Sequence, residues 1–171
     1  MRMNNKVQEV LNKQINAELW SAYLYLSMSA YFESEGFAGF ANWMRIQYQE
    51  ESAHAMKMFN FVNERGGRVI LEPINEVPTE WLSPMNAFEE TYKHECLVTD
   101  LINNCVDVAI EEKDHASVNF LQWFVDEQVE EEANVSTILD ELKIAGGEGH
   151  ALFMINRELG ARVFVDPTNQ K

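Results

Sequence analysis

With 171 residues, of which 46% are apolar, the chain can bury a real core but has room for little more than one domain. A formal charge of −15 argues against binding nucleic acid through its phosphate backbone. No uncharged run, "LWSAYLYLSMSAYF" included, reaches bilayer length, and "MRMNNKVQEV" lacks the apolar stretch and cleavage site of an export signal. Cys96 and Cys105, nine apart on one expected helix, cannot meet in a disulfide. These features together predict a cytoplasmic protein with no membrane segment.

Four long helices are expected, with breakers between them. The first runs from about Lys6 to Phe32 and ends near "ESEGFAG"; the second runs from about Ala38 to Glu64 and is stopped by Gly66 and Gly67. The stretch "RVILEPINEVPTEWLSP" carries three prolines and irregularly spaced apolar residues, so it reads as a long ordered connection. Ser83 followed by Pro84 is an N-cap with proline at the first helical position. The third helix continues to about Glu112, Lys113 and Asp114 turn the chain, and the fourth ends at Gly146 and Gly147. A short amphipathic segment, "HALFMINRELGARV", follows. The expected organisation is a single domain: a four-helix bundle over about 6–145, a fifth helix over about 148–160 and a tail to 171.

Link lengths predict the topology. Short links make helices one and two, and three and four, antiparallel neighbours. Helices of this size are roughly 40 Å long at 1.5 Å per residue, and an extended link of about 20 residues spans that distance. The expected order is up, down, down, up with one long crossover between helices two and three.

The 3-4 repeat of each helix then picks out its core-facing seam. The seams read Leu11, Gln14, Glu18, Ser21, Tyr25, Met28, Phe32; Phe37, Phe40, Met44, Gln47, Glu51, His54, Met58, Phe61; Phe88, Thr91, Glu95, Val98, Ile102, Cys105, Ala109; and Leu121, Phe124, Gln128, Glu131, Val135, Ile138, Leu142. Each is apolar at its ends and polar near its middle. Helices of equal length packed side by side bring their midpoints to one level, so Glu18, Glu51, His54, Glu95, Gln128 and Glu131 converge.

Buried carboxylates need a partner charge, and no lysine or arginine occupies a seam position. Carboxylates with one imidazole suit a hard-to-borderline divalent metal, with iron the leading choice, and Glu51 is the natural bridge between two such ions. Taken alone, Glu51-x-x-His54 is a weak signal and isolated glutamates face solvent by default; four seams interrupted at one height carry the argument. His94, His115 and His150 lie off the seams and are expected at the surface, while Cys96 is expected as a small buried filler.

The chain resembles the ferritins, specifically their bacterial non-haem branch, through "NKQINAELWSAYLYLSMSAYFE", "YQEESAHAMKM", "FVDEQVEEE" and "ALFMINRELG". That resemblance implies a ferritin-like four-helix bundle with a short fifth helix, assembled into a 24-subunit hollow shell that stores ferric mineral. It implies a ferroxidase that oxidises Fe2+ with O2 or H2O2. Glu18, Glu51 and His54 would hold the first iron, and Glu51, Glu95 and Glu131 the second, with Gln128 beside it. Glu50, Glu127 and Glu130 match a third iron site of bacterial members, with Glu131 shared. Tyr25 matches a tyrosine that donates an electron, and Trp123 lies at a nearby family position.

Departures from neighbouring families narrow the reading. Bacterioferritins carry a second Glu-x-x-His where this chain has Gln128 and Glu131, and a haem-ligating methionine where it has Ser52, so no haem is expected. Animal ferritins have acidic three-fold channel residues where this chain has Val118 and Leu121. A rubrerythrin-like peroxidase would show a second Glu-x-x-His and a Cys-x-x-Cys module. A metal-free structural bundle would show apolar seam centres.

Overall fold

The computed structural model describes residues 3–146 and 149–169. Among these, the helices are α1 (Asn5–Ser34), α2 (Ala38–Glu64), α3 (Pro84–Glu111), α4 (His115–Ala145) and α5 (Gly149–Leu159), followed by a 3-10 turn at Pro167–Asn169. Gly147 and Glu148, on which the expected end of α4 and start of the fifth helix partly fall, lie outside the described residues, as does the end of the tail. Local chemistry fixes the starts. Asn4 accepts the Lys6 N–H ahead of α1. Ser83 accepts the Asn86 N–H with Pro84 at the first position of α3, and Asp114 accepts the Ser117 N–H ahead of α4. Gly146 ends α4 in the left-handed region at φ 70°, where a residue without a Cβ is unstrained. Lys113 makes the α3–α4 turn with φ 54°, an uncommon conformation for a residue with a Cβ.

The topology is up, down, down, up, and paired contacts along the helices establish it. Met3 N–H donates to the Arg65 carbonyl at 3.0 Å and Ser29 to the Ala41 carbonyl at 2.8 Å, so α1 and α2 run antiparallel. Cys105 against Val10 and Tyr25 against Glu95 set α3 antiparallel to α1. Gln47 against Glu131 and Arg65 against Asp114 set α4 antiparallel to α2.

The crossover between α2 and α3 returns along the outer face of α1. A segment without regular structure must satisfy its backbone polar groups elsewhere, and a polar stripe on α1 does so. Asn12 donates to the Arg68 carbonyl at 3.0 Å and accepts the Ile70 N–H at 3.0 Å. Asn16 donates to Glu72 O at 3.2 Å, Trp20 to Glu76 O at 3.3 Å, Ser27 to Pro78 O at 2.6 Å and Tyr31 to Trp81 O at 2.8 Å.

The apolar core is divided in two. One cluster joins Phe32, Phe40, Met44, Phe88, Val135 and Leu142 to Leu152, Ile155 and Leu159 of α5. The other, at the opposite end, contains Val7, Leu11, Met58, Ile102, Leu121 and Phe124. Each large side chain so buried contributes about 1.5–3 kcal/mol. The two ends therefore hold the bundle together and tolerate a polar band between them.

Candidate metal centre

The band is where the four seams change character. Gln14, Glu18, Ser21, Gln47, Glu51, His54, Glu95, Gln128 and Glu131 are all buried, none more than 5% exposed. They reach one level because each lies near the middle of a helix whose ends pack into the two apolar clusters. Glu18, Glu51 and His54 each offer one ligand atom within 4.8 Å of the others, and so do His54, Glu127 and Glu131. The His54 Nδ1 atom stands 3.4 Å from Glu51 and 3.9 Å from Glu18; its Nε2 stands 3.9 Å from Glu127. His54 therefore faces both trios, one through each nitrogen.

Glu95 is held differently. It lies in the same band but in neither trio, with its carboxylate accepting from the Tyr25 phenol and from Gln128 Nε2 at 3.3 Å. Gln128 also donates to the Glu95 carbonyl at 3.2 Å, tying α3 to α4 beside the cluster. Glu131 accepts from Gln47 Nε2 at 3.0 Å, and Glu18 from Gln14 Nε2 at 2.8 Å. Glu50, Glu127 and Glu130 line a cavity of about 350 Å³ on the α2–α4 side together with Glu131 and Trp123. Glu50 is ion-paired there with Arg162 at 2.6 Å.

Electrostatics make the protein's own groups insufficient for this cluster. Burial, followed by repulsion from Glu95, Glu18 and Glu131, drives the Glu51 carboxyl well above its ordinary range. Burial, then Glu95 and Glu50, does the same to Glu131. Burial raises Glu18, although hydrogen bonds with Glu51 and Gln14 oppose it. Glu95 is raised to about 7 by burial, against its bonds from Tyr25 and Gln128. Burial, helped by Lys57, lowers His54 to about 4, so its imidazole is neutral and free to ligate. Glu18 Oε2, Gln47 Oε1 and His54 Nε2 are buried without a hydrogen-bond partner. Unpaired buried atoms of this kind cost about 1–3 kcal/mol each. Bound cations would relieve both the repulsion and the missing partners. The donor set, mostly carboxylate with one neutral imidazole, fits ferrous iron.

A ferritin-like domain profile matches residues 8–145. The chain belongs to the ferritin family. It is 48% identical over 160 residues to a bacterial non-heme ferritin of Bacteroides fragilis, covering 94% of this chain and 99% of that one. A bacterial non-heme ferritin of Staphylococcus aureus is 35% identical, with 95% and 98% covered. Among solved structures, an engineered closed form of the Archaeoglobus fulgidus ferritin is 55% identical, with a TM-score of 0.94 over 95% of this chain and 99% of that one. The all-α bundle expected from the seams and the ferritin fold implied by the resemblance are both the fold found.

His94 requires a correction. Expected at the surface, it is half-buried beside the centre, with Nε2 2.7 Å from the Ser21 hydroxyl and its ring 5.3 Å from that of Trp20. Burial lowers it to about 4. It leaves α3 one residue before Glu95, on the side that α1 and the crossover cover. Cys96 is half-buried rather than a core filler. Gln47 and Gln14 stood on the seams without an assigned part; their seam positions were the signal. Arg162 follows α5 outside any periodic pattern, and nothing in its sequence context marks it. Among the described residues no helix is long and apolar enough to cross a membrane.

Proposed function

We propose that this ferritin stores iron and oxidises it, taking up two Fe2+ per subunit at the band between the apolar clusters. The observation that carries the reading is the convergence of buried carboxylates from all four helices around one neutral histidine. The reading takes the chain as one ferritin-like domain acting within a homo-oligomeric, 24-subunit shell in the cytoplasm, with ferric oxyhydroxide mineral as cargo.

In this scheme Glu18, Glu51 and His54 hold the first Fe2+. Glu51, Glu95 and Glu131 hold the second, with Gln128 steering Glu95, and Glu51 bridges the pair. The protons on these carboxyls leave as the cations enter. Each Fe2+ then gives one electron to O2, which departs with two protons as hydrogen peroxide; H2O2 can serve as oxidant in its turn. Anionic oxygen ligands favour the more highly charged ferric product. Tyr25, bonded to Glu95, stands next to the second position as an oxidisable side chain. Glu50, Glu127, Glu130 and Glu131 form the third cation position on the cavity side. With no imidazole, the second position holds iron less tightly than the first and releases it first.

Anaerobic Fe2+ titration followed by oxygen, with particle mass from light scattering, tests the scheme. Two Fe2+ per subunit should bind, oxidise rapidly on oxygen addition and accumulate as mineral in a particle of shell mass. A monomer or dimer that consumes Fe2+ without accumulating mineral would overturn the storage reading. Equal affinity at the two positions would overturn the asymmetry.

A further inference from the structure

The segment after α5 turns back over the α2–α4 face and brings a cation to the edge of the acidic cavity. Arg162 Nη2 donates to Glu50 Oε2 at 2.6 Å, and its Nη1 donates to the Trp43 carbonyl at 3.4 Å. The guanidinium carbon lies 4.7 Å from the Trp43 ring centroid. The Arg162 carbonyl accepts from Asn42 Nδ2 at 3.0 Å, so both the backbone and the side chain are held by α2. Beyond it Val163, Val165 and Pro167 wall the same cavity. Both ends of the ion pair are mostly withdrawn from water, with the Arg162 and Glu50 side chains 23% and 15% exposed.

Among the described residues that line the cavity, Arg162 is the one cation facing five carboxylate side chains. Behind the lining, His54 is buried with its unpartnered Nε2 3.9 Å from Glu127 of the cavity wall. Glu50 is thus adjacent to two kinds of positive charge, the tethered guanidinium and any cation in the cavity. A carboxylate oxygen engaged at 2.6 Å by arginine is not available to a metal.

We propose that Arg162 is a tethered counter-ion that competes with a divalent cation for Glu50, keeps the cavity position weak, and is displaced from Glu50 when that position fills. The inference rests on the metal-centre reading above and adds a positioning residue from the tail. A weak cavity position suits transit, because a cation held there by Glu50, Glu127, Glu130 and Glu131 without competition would stay.

The test is Zn2+ titration calorimetry on the assembled, metal-free protein, comparing wild type with R162Q and R162K. Two tight binding events per subunit should be unchanged in all three proteins. The weaker third event should tighten by about tenfold in R162Q, the scale of losing one half-buried ion pair. Lysine keeps the charge but not the planar fork, so R162K should tighten it less. Hydrogen exchange over residues 160–169 should quicken in wild type only when the third event saturates, and should be fast in R162Q without metal. If R162Q does not assemble, R162K alone decides, and an unchanged third event overturns the proposal. So does a third event that is absent, equal in wild type and R162Q, or weakened by the substitution. Loss of the first two events in wild type would instead overturn the metal-centre reading, and this inference with it.

Discussion

The phenol of Tyr25 donates its hydrogen to the Glu95 carboxylate, joining α1 to α3 at the level of the buried glutamates. Burial, then the negative charge of Glu95 and Glu51, holds the Tyr25 hydroxyl far above its ordinary range, so it remains a donor at any physiological pH. Its bond is one of the two contacts that offset the effect of burial on Glu95.

Tyr25→Phe should leave the fold intact at a cost of about 1–3 kcal/mol, the usual penalty for a buried acceptor losing its donor. The remaining bond from Gln128 cannot replace it, so Glu95 should titrate at higher pH. Binding of Co2+ at the proposed second position, followed by its visible spectrum across pH 5.5–8, should then require a higher pH. First-position binding, through Glu18, Glu51 and His54, should keep its wild-type pH profile. Equal profiles at both positions would remove Tyr25 from this part.

The metal-free protein should become more stable as pH falls from 8 to about 6.5. Glu18, Glu51, Glu95 and Glu131 all carry folded-state values above the unfolded 4.5, with Glu95 near 7. Above 4.5 the native state therefore holds protons that the unfolded chain has released, and native stability is lost as pH rises through the raised values. His54 and His94, lowered from 6.5 to about 4, act in the opposite sense, costing stability only as pH falls below 6.5. The melting temperature of the metal-free protein, by calorimetry, should rise between pH 8 and 6.5 and flatten or fall below that. Glu95→Gln should raise the melting temperature at pH 8 and weaken the metal-induced increase. A flat profile across pH 8–6.5 would show that the cluster is not charge-frustrated.

The seams were legible because side-chain burial in a bundle repeats every 3.6 residues. Every position from Leu11 to Phe32 on the α1 seam is buried, and Glu95 and Glu131 follow from the same period on α3 and α4. Phe37 and Phe61 are only half-buried, as seam ends should be; Phe61 stacks on Phe120 at 3.8 Å instead of entering the core. What the period could not carry is the meeting of segments that have none. The crossover rests on Asn12, Asn16 and Trp20, and Arg162 reaches Glu50 across 112 residues of chain. His94 departs from its expected surface place for the same reason. It lies beside the seam, and the crossover together with Trp20 and Ser21 of α1 encloses it.

Arg65 and Asp114 link the end of α2 to the start of α4 through two parallel bonds of 3.0 and 3.1 Å. Burial would raise the Asp114 carboxyl, but the bonds from Arg65 and Ser117 outweigh it and hold the group below its ordinary 3.8. A depressed value means that this contribution is present above 3.8 and lost only as pH falls through the lower folded value. Asp114→Ala removes both a helix cap and the partner of a half-buried arginine, so it should cost about 2–4 kcal/mol. The loss, read from denaturant midpoints, should be the same at pH 5 and pH 8. A loss that grew between those values would assign the effect to another group.

The docking of α5 depends on one residue of α2 having no side chain. A Cβ on Gly39 would stand 1.5 Å from the Asn156 carbonyl oxygen, an overlap that only backbone movement can relieve. The same contact is fixed by Asn156 Oδ1, which accepts the Gly39 N–H at 2.9 Å and the Phe40 N–H at 3.2 Å, satisfying backbone donors at the start of α2. Gly39→Ala should therefore push α5 away and uncover Leu152, Ile155 and Leu159, which the bundle buries. It should also loosen Arg162, whose carbonyl is bound by Asn42 one turn further along α2. Circular dichroism should show the four long helices retained. Hydrogen exchange should quicken across 149–169, and light scattering should report smaller particles if α5 takes part in assembly. Unchanged exchange in α5 would mean that the helix settles in a second position and that the Gly39–Asn156 approach is not what holds it.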